Sequence, residues 1–143
     1  MTSRISHTTF DCRDAYAQSE WWKQVLGYVD VPGDPNLPGH EECMIVPPAG
    51  HDAPAESHGH LLFIEVPEPK TVKNRGHLDL RPTDRTQAEE VERLLALGAT
   101  QVADRRSPEG QGGWVVLADP EGNEFCILLS EPERAAVLAA REA

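Results

Sequence analysis

The chain has 143 residues, 39% hydrophobic and 26% charged, a balance that predicts one globular domain able to fold without disulfides or metal. Twenty-four acidic residues against 13 basic ones give a formal charge of −11, which speaks against nucleic acid or an anionic membrane surface as partner. The odd cysteine count (Cys12, Cys43, Cys126), the lack of a CxxC pair and the lack of any long apolar run predict a cytoplasmic protein with no disulfide framework.

In chain order, Ile5 to Cys12 has strand composition. Asp14 precedes AYAQSEWWKQVLGY, where Tyr16, Trp21, Trp22, Val25 and Leu26 recur at helical spacing and Gly27 marks the stop. Adjacent helical positions differ by about 100°, so one of Trp21 and Trp22 is expected in the core and the other at an edge. Residues 31–40 hold three prolines and two glycines and read as a loop. Glu42 to Val46 is a short strand, Pro47 to Gly59 a breaker-rich connection, and His60 to Val66 the clearest strand of the first half.

After a basic link, His77 to Arg81 reads as a strand. Asp84 is the expected N-cap of a helix with Gln87 completing a loose capping box, Ala88, Val91, Leu94, Leu95 and Leu97 as its apolar stripe and Gly98 as its stop. Thr100 to Asp104, Trp114 to Ala118 and Phe125 to Leu129 are strands, with Asp119-Pro120-Glu121-Gly122-Asn123 as a tight turn before the last. Residues 131–142 read as a peripheral terminal helix.

These elements repeat. His7 and His77 stand 70 residues apart, each seven residues before an aspartate (Asp14, Asp84) that precedes an amphipathic helix ending in Leu-Gly. Each half then closes on a Phe-bearing apolar strand. The expected fold is therefore α+β, a single domain over 1–143 with halves at about 5–66 and 77–129. Tandem βαβββ units would form a curved mixed sheet around a central cleft, with helices outside.

The order and spacing of these motifs resemble the vicinal oxygen chelate superfamily of glyoxalases, bleomycin-resistance proteins and extradiol dioxygenases. The residues that carry the resemblance are Asp119 to Asn123 with the strand after it, Val25-Leu26-Gly27-Tyr28, and Lys73 to Leu80. The resemblance implies a small-molecule cleft, a homodimer, and a divalent metal (Zn, Ni, Mn or Fe) held by residues on the first and last strands of each half. His7 and His77 match the two first-strand positions. The last-strand positions fall at Ile64, which cannot bind a metal, and at Cys126, where the ligand glutamate usually stands. Glu65 and Glu124 lie one or two residues away.

Period-two alternation adds neighbours to these positions. Thr9 and Asp11 share a face with His7. Asp79 and Arg81 share one with His77, and Trp114 either offers a flat apolar wall for a ligand or packs in the core. Cys126 is a further ligand-binding candidate, and it is also what an ordinary core thiol looks like. His77 with Asp79 is the candidate catalytic pair. Regular strand spacing holds such a pair roughly 6–7 Å apart, which disfavours direct contact. Lys70, Lys73 and Arg75 could draw in an anionic substrate or simply be a solvated link; in His40-Glu41-Glu42-Cys43, His40 or Glu42 could reach the cleft rim or cap a metal or be solvent-facing loop groups, and His51, His58 and His60, in or beside the breaker-rich connection, read as a chance accumulation.

No phosphate-binding glycine loop or nucleophile elbow occurs. Two readings remain: a metal-dependent lyase, isomerase or dioxygenase, and a metal-free binding protein that sequesters a drug or metabolite. Metal-free acid–base catalysis by His77 is a third.

Overall fold

Each half of the chain folds as strand, helix and three further strands. Residues 1–49 and 59–143 are described in a computed structural model, and they fall into two units, Met1–Lys70 and Thr71–Ala143. His51 and His58 lie outside the described residues.

The first unit contains β1 (Thr8–Cys12), α1 (Ala15–Leu26), β2 (Val29–Asp30), β3 (Glu42–Val46) and β4 (Leu61–Glu65). Its sheet runs β1-β4-β3-β2, with β1 parallel to β4 and the other pairs antiparallel. The parallel pair needs a crossover, and α1 supplies the start of it. Asp14 caps α1 by accepting from the Ala17 N–H at 2.9 Å, and Gly27 ends it at φ +67°. Helix α1 packs on β3 and β4. Ala15, Trp22, Val25, Cys43, Ile45, Leu61 and Phe63 are buried. Full burial of a side chain such as Phe63 contributes about 1.5–3 kcal/mol. Both tryptophans are buried, against the expectation that one would sit at an edge. Their rings meet edge-on with centroids 5.2 Å apart, so each covers part of the other. Strand β2 is too short to leave a sequence pattern. It is fixed by Asp30, which accepts from Lys23 Nζ and Asn36 Nδ2.

The second unit repeats this order with β5 (Leu78–Leu80), α2 (Gln87–Leu97), β6 (Thr100–Asp104), β7 (Val115–Ala118) and β8 (Glu124–Ile127), followed by α3 (Glu131–Glu142). The sheet runs β5-β8-β7-β6, again with the first and last strands parallel. The fold is thus a tandem βαβββ arrangement with two four-stranded mixed sheets. Helix α2 starts later than the sequence suggests. Its N-cap is Thr86, not Asp84, and the reciprocal partner is Glu89, not Gln87. Asp84 instead pairs with Arg85. The buried face of α2 also shifts: Gln87, Glu90, Val91 and Leu94 are inside, whereas Ala88 and Leu95 are exposed. Gln87 replaces an apolar residue there because its amide donates to the carbonyls of Gly113 and Ile127 at 3.0 and 2.9 Å. Helix α3 buries no residue, in keeping with a peripheral position. Among the described residues no helix is long and apolar enough to cross a membrane.

Candidate functional site

The site is built where β5 and β8 run side by side. Their register sets Leu78 against Phe125, Asp79 against Cys126 and Leu80 against Ile127. Alternation sends Phe125 and Ile127 into the core and leaves Asp79 and Cys126 on the opposite face. Cys126 is also paired to Val116 of β7, so its backbone is held from both sides. His77 stands one residue before β5 begins. Freed from strict strand geometry, its Nε2 reaches to 3.4 Å from Asp79 Oδ1, closer than the strand spacing of a His-x-Asp pair leads one to expect.

One donor atom from each of His77, Asp79 and Cys126 lies within 4.8 Å of the other two. The three differ in exposure: the side chains of His77 and Asp79 are 37% and 54% exposed, while Cys126 is buried. Burial pushes the Cys126 thiol up to about 11, with the neighbouring Asp79 charge and hydrogen bond adding to the shift and Lys73 opposing it.

This cluster opens on a cavity of about 440 Å³. Trp114, Val116 and Leu128 give it apolar walls, and Lys73 and Arg105 give it two cations. Glu124, also on β8, lines the cavity and shares the Cys126 face two residues away. The turn before β8 secures this end. Buried Asp119 accepts from the N–H groups of Glu121 and Asn123, and Gly122 takes φ +89°. Asn123 does not use the positive φ that such a turn would tolerate. Instead its side-chain oxygen accepts from Asn74 Nδ2 at 2.7 Å, while Glu124 Oε2 accepts from Asn74 N–H. The link carrying Lys73 and leading to His77 is therefore pinned to the β7–β8 turn. At the other end, the Arg105 N–H donates to the Trp114 carbonyl at 2.8 Å.

The residues singled out from the sequence divide into three groups. His77, Asp79, Cys126 and Trp114 come together around the cavity. Arg81 does not line it: Nη1 donates to the Leu129 carbonyl and Nε pairs with Glu131 at 3.1 Å, so this arginine ties β5 to the start of α3. His7, Thr9 and Asp11 belong to the first unit, where Thr9 and Asp11 are exposed on β1 and His7 Nδ1 is 3.0 Å from Ser6 Oγ. His40 is committed to its loop, accepting at Nδ1 from the Leu37 N–H.

One register assignment needs correction. Thr9, 70 residues before Asp79, pairs with Leu62, not with Ile64. Leu62 is therefore the first-unit counterpart of Cys126; matching the two halves on their phenylalanines displaces the register by two. Leu62, like Ile64, offers no ligand atom. Arg105 and Leu128 were not singled out from the sequence. Leu128 follows from alternation out of Cys126, whereas Arg105 is brought in by the closure of the β6–β7 hairpin, which no local pattern announces.

The comparisons with known proteins agree with this architecture. Among solved structures, a mutant of the fosfomycin resistance protein FosX from Listeria monocytogenes, complexed with Mn(II) and 1S,2S-dihydroxypropylphosphonic acid, is 16% identical with a TM-score of 0.63, over 94% of this chain and 96% of that one. FosX from Mesorhizobium loti is 17% identical with a TM-score of 0.62, over 95% and 99%. A glyoxalase/bleomycin resistance protein/dioxygenase family enzyme from Burkholderia phytofirmans PsJN is 18% identical with a TM-score of 0.60, over 87% and 97%. At these identities the likeness establishes the fold. No curated protein matches the sequence significantly. The glyoxalase-like domain model, by contrast, matches residues 7–128, nearly the whole of both repeats, and the chain belongs to that family, within the vicinal oxygen chelate superfamily.

Proposed function

We propose that this chain is a metal-dependent enzyme of lyase, isomerase or dioxygenase type, acting on a small anionic molecule with two neighbouring oxygen atoms. The observation that carries this reading is the convergence of an imidazole, a carboxylate and a thiol beside a cavity of ligand size. Three protein ligands with room for a fourth partner form the usual donor set of a catalytic ion. When bound, such an ion supplies a Lewis acid for the substrate oxygens. Lys73 and Arg105 would draw in and orient the anionic group, and Trp114, Val116 and Leu128 would exclude water from its carbon skeleton. The similarity to FosX, one structure of which holds Mn(II) and a phosphonic acid, supports both the metal and the charge of the substrate.

Metal analysis of the purified full chain, before and after reconstitution, tests the reading. One bound divalent ion per chain is expected, lost in His77→Ala and in Asp79→Ala. Failure of every divalent ion to bind the intact chain would reject it.

A metal-free binding protein is the second reading. It is favoured by Leu62 and Cys126, which stand where carboxylate ligands would be expected, and by the apolar cavity walls. It predicts ligand-induced thermal stabilisation in the presence of a chelator, with no turnover under any added metal. Either reading includes a homodimer. Three free, buried cysteines suit a reducing compartment, in line with a cytoplasmic location.

A further inference from the structure

We infer that the ion taken by this site is bound through the sulfur of Cys126, making the site selective for a thiophilic, zinc-type ion over a hard, oxygen-seeking one such as manganese. This rests on the metal-dependent reading above and specifies which ion serves it. Thiolate favours zinc, whereas manganese and magnesium favour oxygen donors in six-fold coordination. The cluster offers one nitrogen, one oxygen and one sulfur rather than a cage of oxygens.

The geometry suits a four-coordinate ion. Ordinary zinc bond lengths and tetrahedral angles place nitrogen, oxygen and sulfur donors about 3.3–3.6 Å apart. His77 Nε2 and Asp79 Oδ1 are already 3.4 Å apart, and the whole set lies within 4.8 Å. The remaining adjustment falls to His77 and Asp79, whose side chains are partly exposed and can move. Cys126 is the fixed member, because β8 is paired on both sides at that residue.

Charge and solvation point the same way. One carboxylate and one thiolate neutralise a divalent ion, and the thiol proton passes to solvent as the metal–sulfur bond forms. The apolar wall of Trp114, Val116 and Leu128 is a poor environment for an ion that keeps several waters.

Cobalt titration of the metal-free full chain tests the inference. Cobalt should bind with one equivalent and give a near-ultraviolet thiolate-to-metal charge-transfer band together with the strong visible absorption of four-coordinate cobalt. Zinc should abolish both spectra stoichiometrically. The band should vanish in Cys126→Ser, although Cys12 and Cys43 remain. Most sites prefer zinc to manganese to some degree, so the informative quantity is the change in preference. Cys126→Glu, checked by circular dichroism for retained fold, should lower the zinc-over-manganese affinity ratio by at least about 10-fold. One equivalent of bound cobalt without the band, a band that survives Cys126→Ser, or an unchanged ratio in Cys126→Glu would each overturn the sulfur ligand while leaving the metal-dependent reading standing. Absence of any divalent binding would reject both.

Discussion

Glu133 and Gln87 tie the helices of the second unit to each other and to its sheet. The Glu133 carboxylate accepts from the N–H groups of Ser130 and Gln87 and from the Ser130 hydroxyl, so it caps α3 and the start of α2 together. Burial alone would raise its titration point, but these hydrogen bonds outweigh burial and leave it below the ordinary 4.5. A carboxyl depressed in the folded state stabilises above its unfolded pKa, and that contribution is lost as pH falls through the folded value. Glu133→Gln is therefore expected to cost about 1–2 kcal/mol at neutral pH, with the gap from the parent closing as pH falls below the ordinary carboxyl value, read by denaturant unfolding across the pH range. Gln87 supports the site more directly. Its amide donates to the carbonyl of Gly113, which precedes Trp114, and of Ile127, which follows Cys126. Gln87→Ala strands two carbonyls and opens a cavity. We expect a loss of about 2–3 kcal/mol in chemical denaturation and, under the proposed metal-dependent reading, weaker metal uptake as Trp114 and Cys126 shift.

At the scale of elements, two glycines separate conformational cost from steric cost. Gly27 ends α1 at φ +67° with nothing within 4 Å of an added Cβ, so Gly27→Ala should cost only about 1–2 kcal/mol for the left-handed backbone. Gly113 sits at φ +104°, and a Cβ there would lie 2.3 Å from the Arg105 carbonyl oxygen and 2.7 Å from Arg106 Cα. The neighbour is backbone and cannot rotate away. Gly113→Ala should therefore cost more than about 3 kcal/mol and distort the Arg105–Trp114 side of the cavity. Differential scanning calorimetry of the two variants orders them. Strands and helices were readable wherever alternation, helical spacing and caps agreed, as at β3, α1, α3 and the Asp119–Asn123 turn. They were misread where a closer competitor existed. Asp84 resembles a cap, but Thr86 can form the reciprocal pair with Glu89. Leu95 resembles a core residue, but Gln87 and Glu90 turn the buried face of α2 away from it.

For the whole molecule, under the proposed metal-dependent reading, an ion bound by the folded chain and not by the unfolded one is expected to raise stability by mass action. At an ion concentration 100-fold above Kd the gain is about 2.7 kcal/mol, seen as a rise in Tm that a chelator reverses and that His77→Ala abolishes. By itself the sequence determined the acidic charge, the strand–helix–strands order and its repetition at 70 residues, because these follow from composition, local periodicity and spacing along one chain; the family is carried by the resemblance of its motifs and by the glyoxalase-like domain match over residues 7–128. The sequence also proposes His77 with Asp79 as a pair, and Cys126 and Trp114 as separate candidates. Only the tertiary structure brings Cys126 into one cluster with that pair. That depends on the parallel register of β5 with β8, which joins residues 47 positions apart, and on His77 standing just outside its strand. Register is fixed by which core side chains fill the space beneath the sheet, a property of the packed unit that no single segment carries.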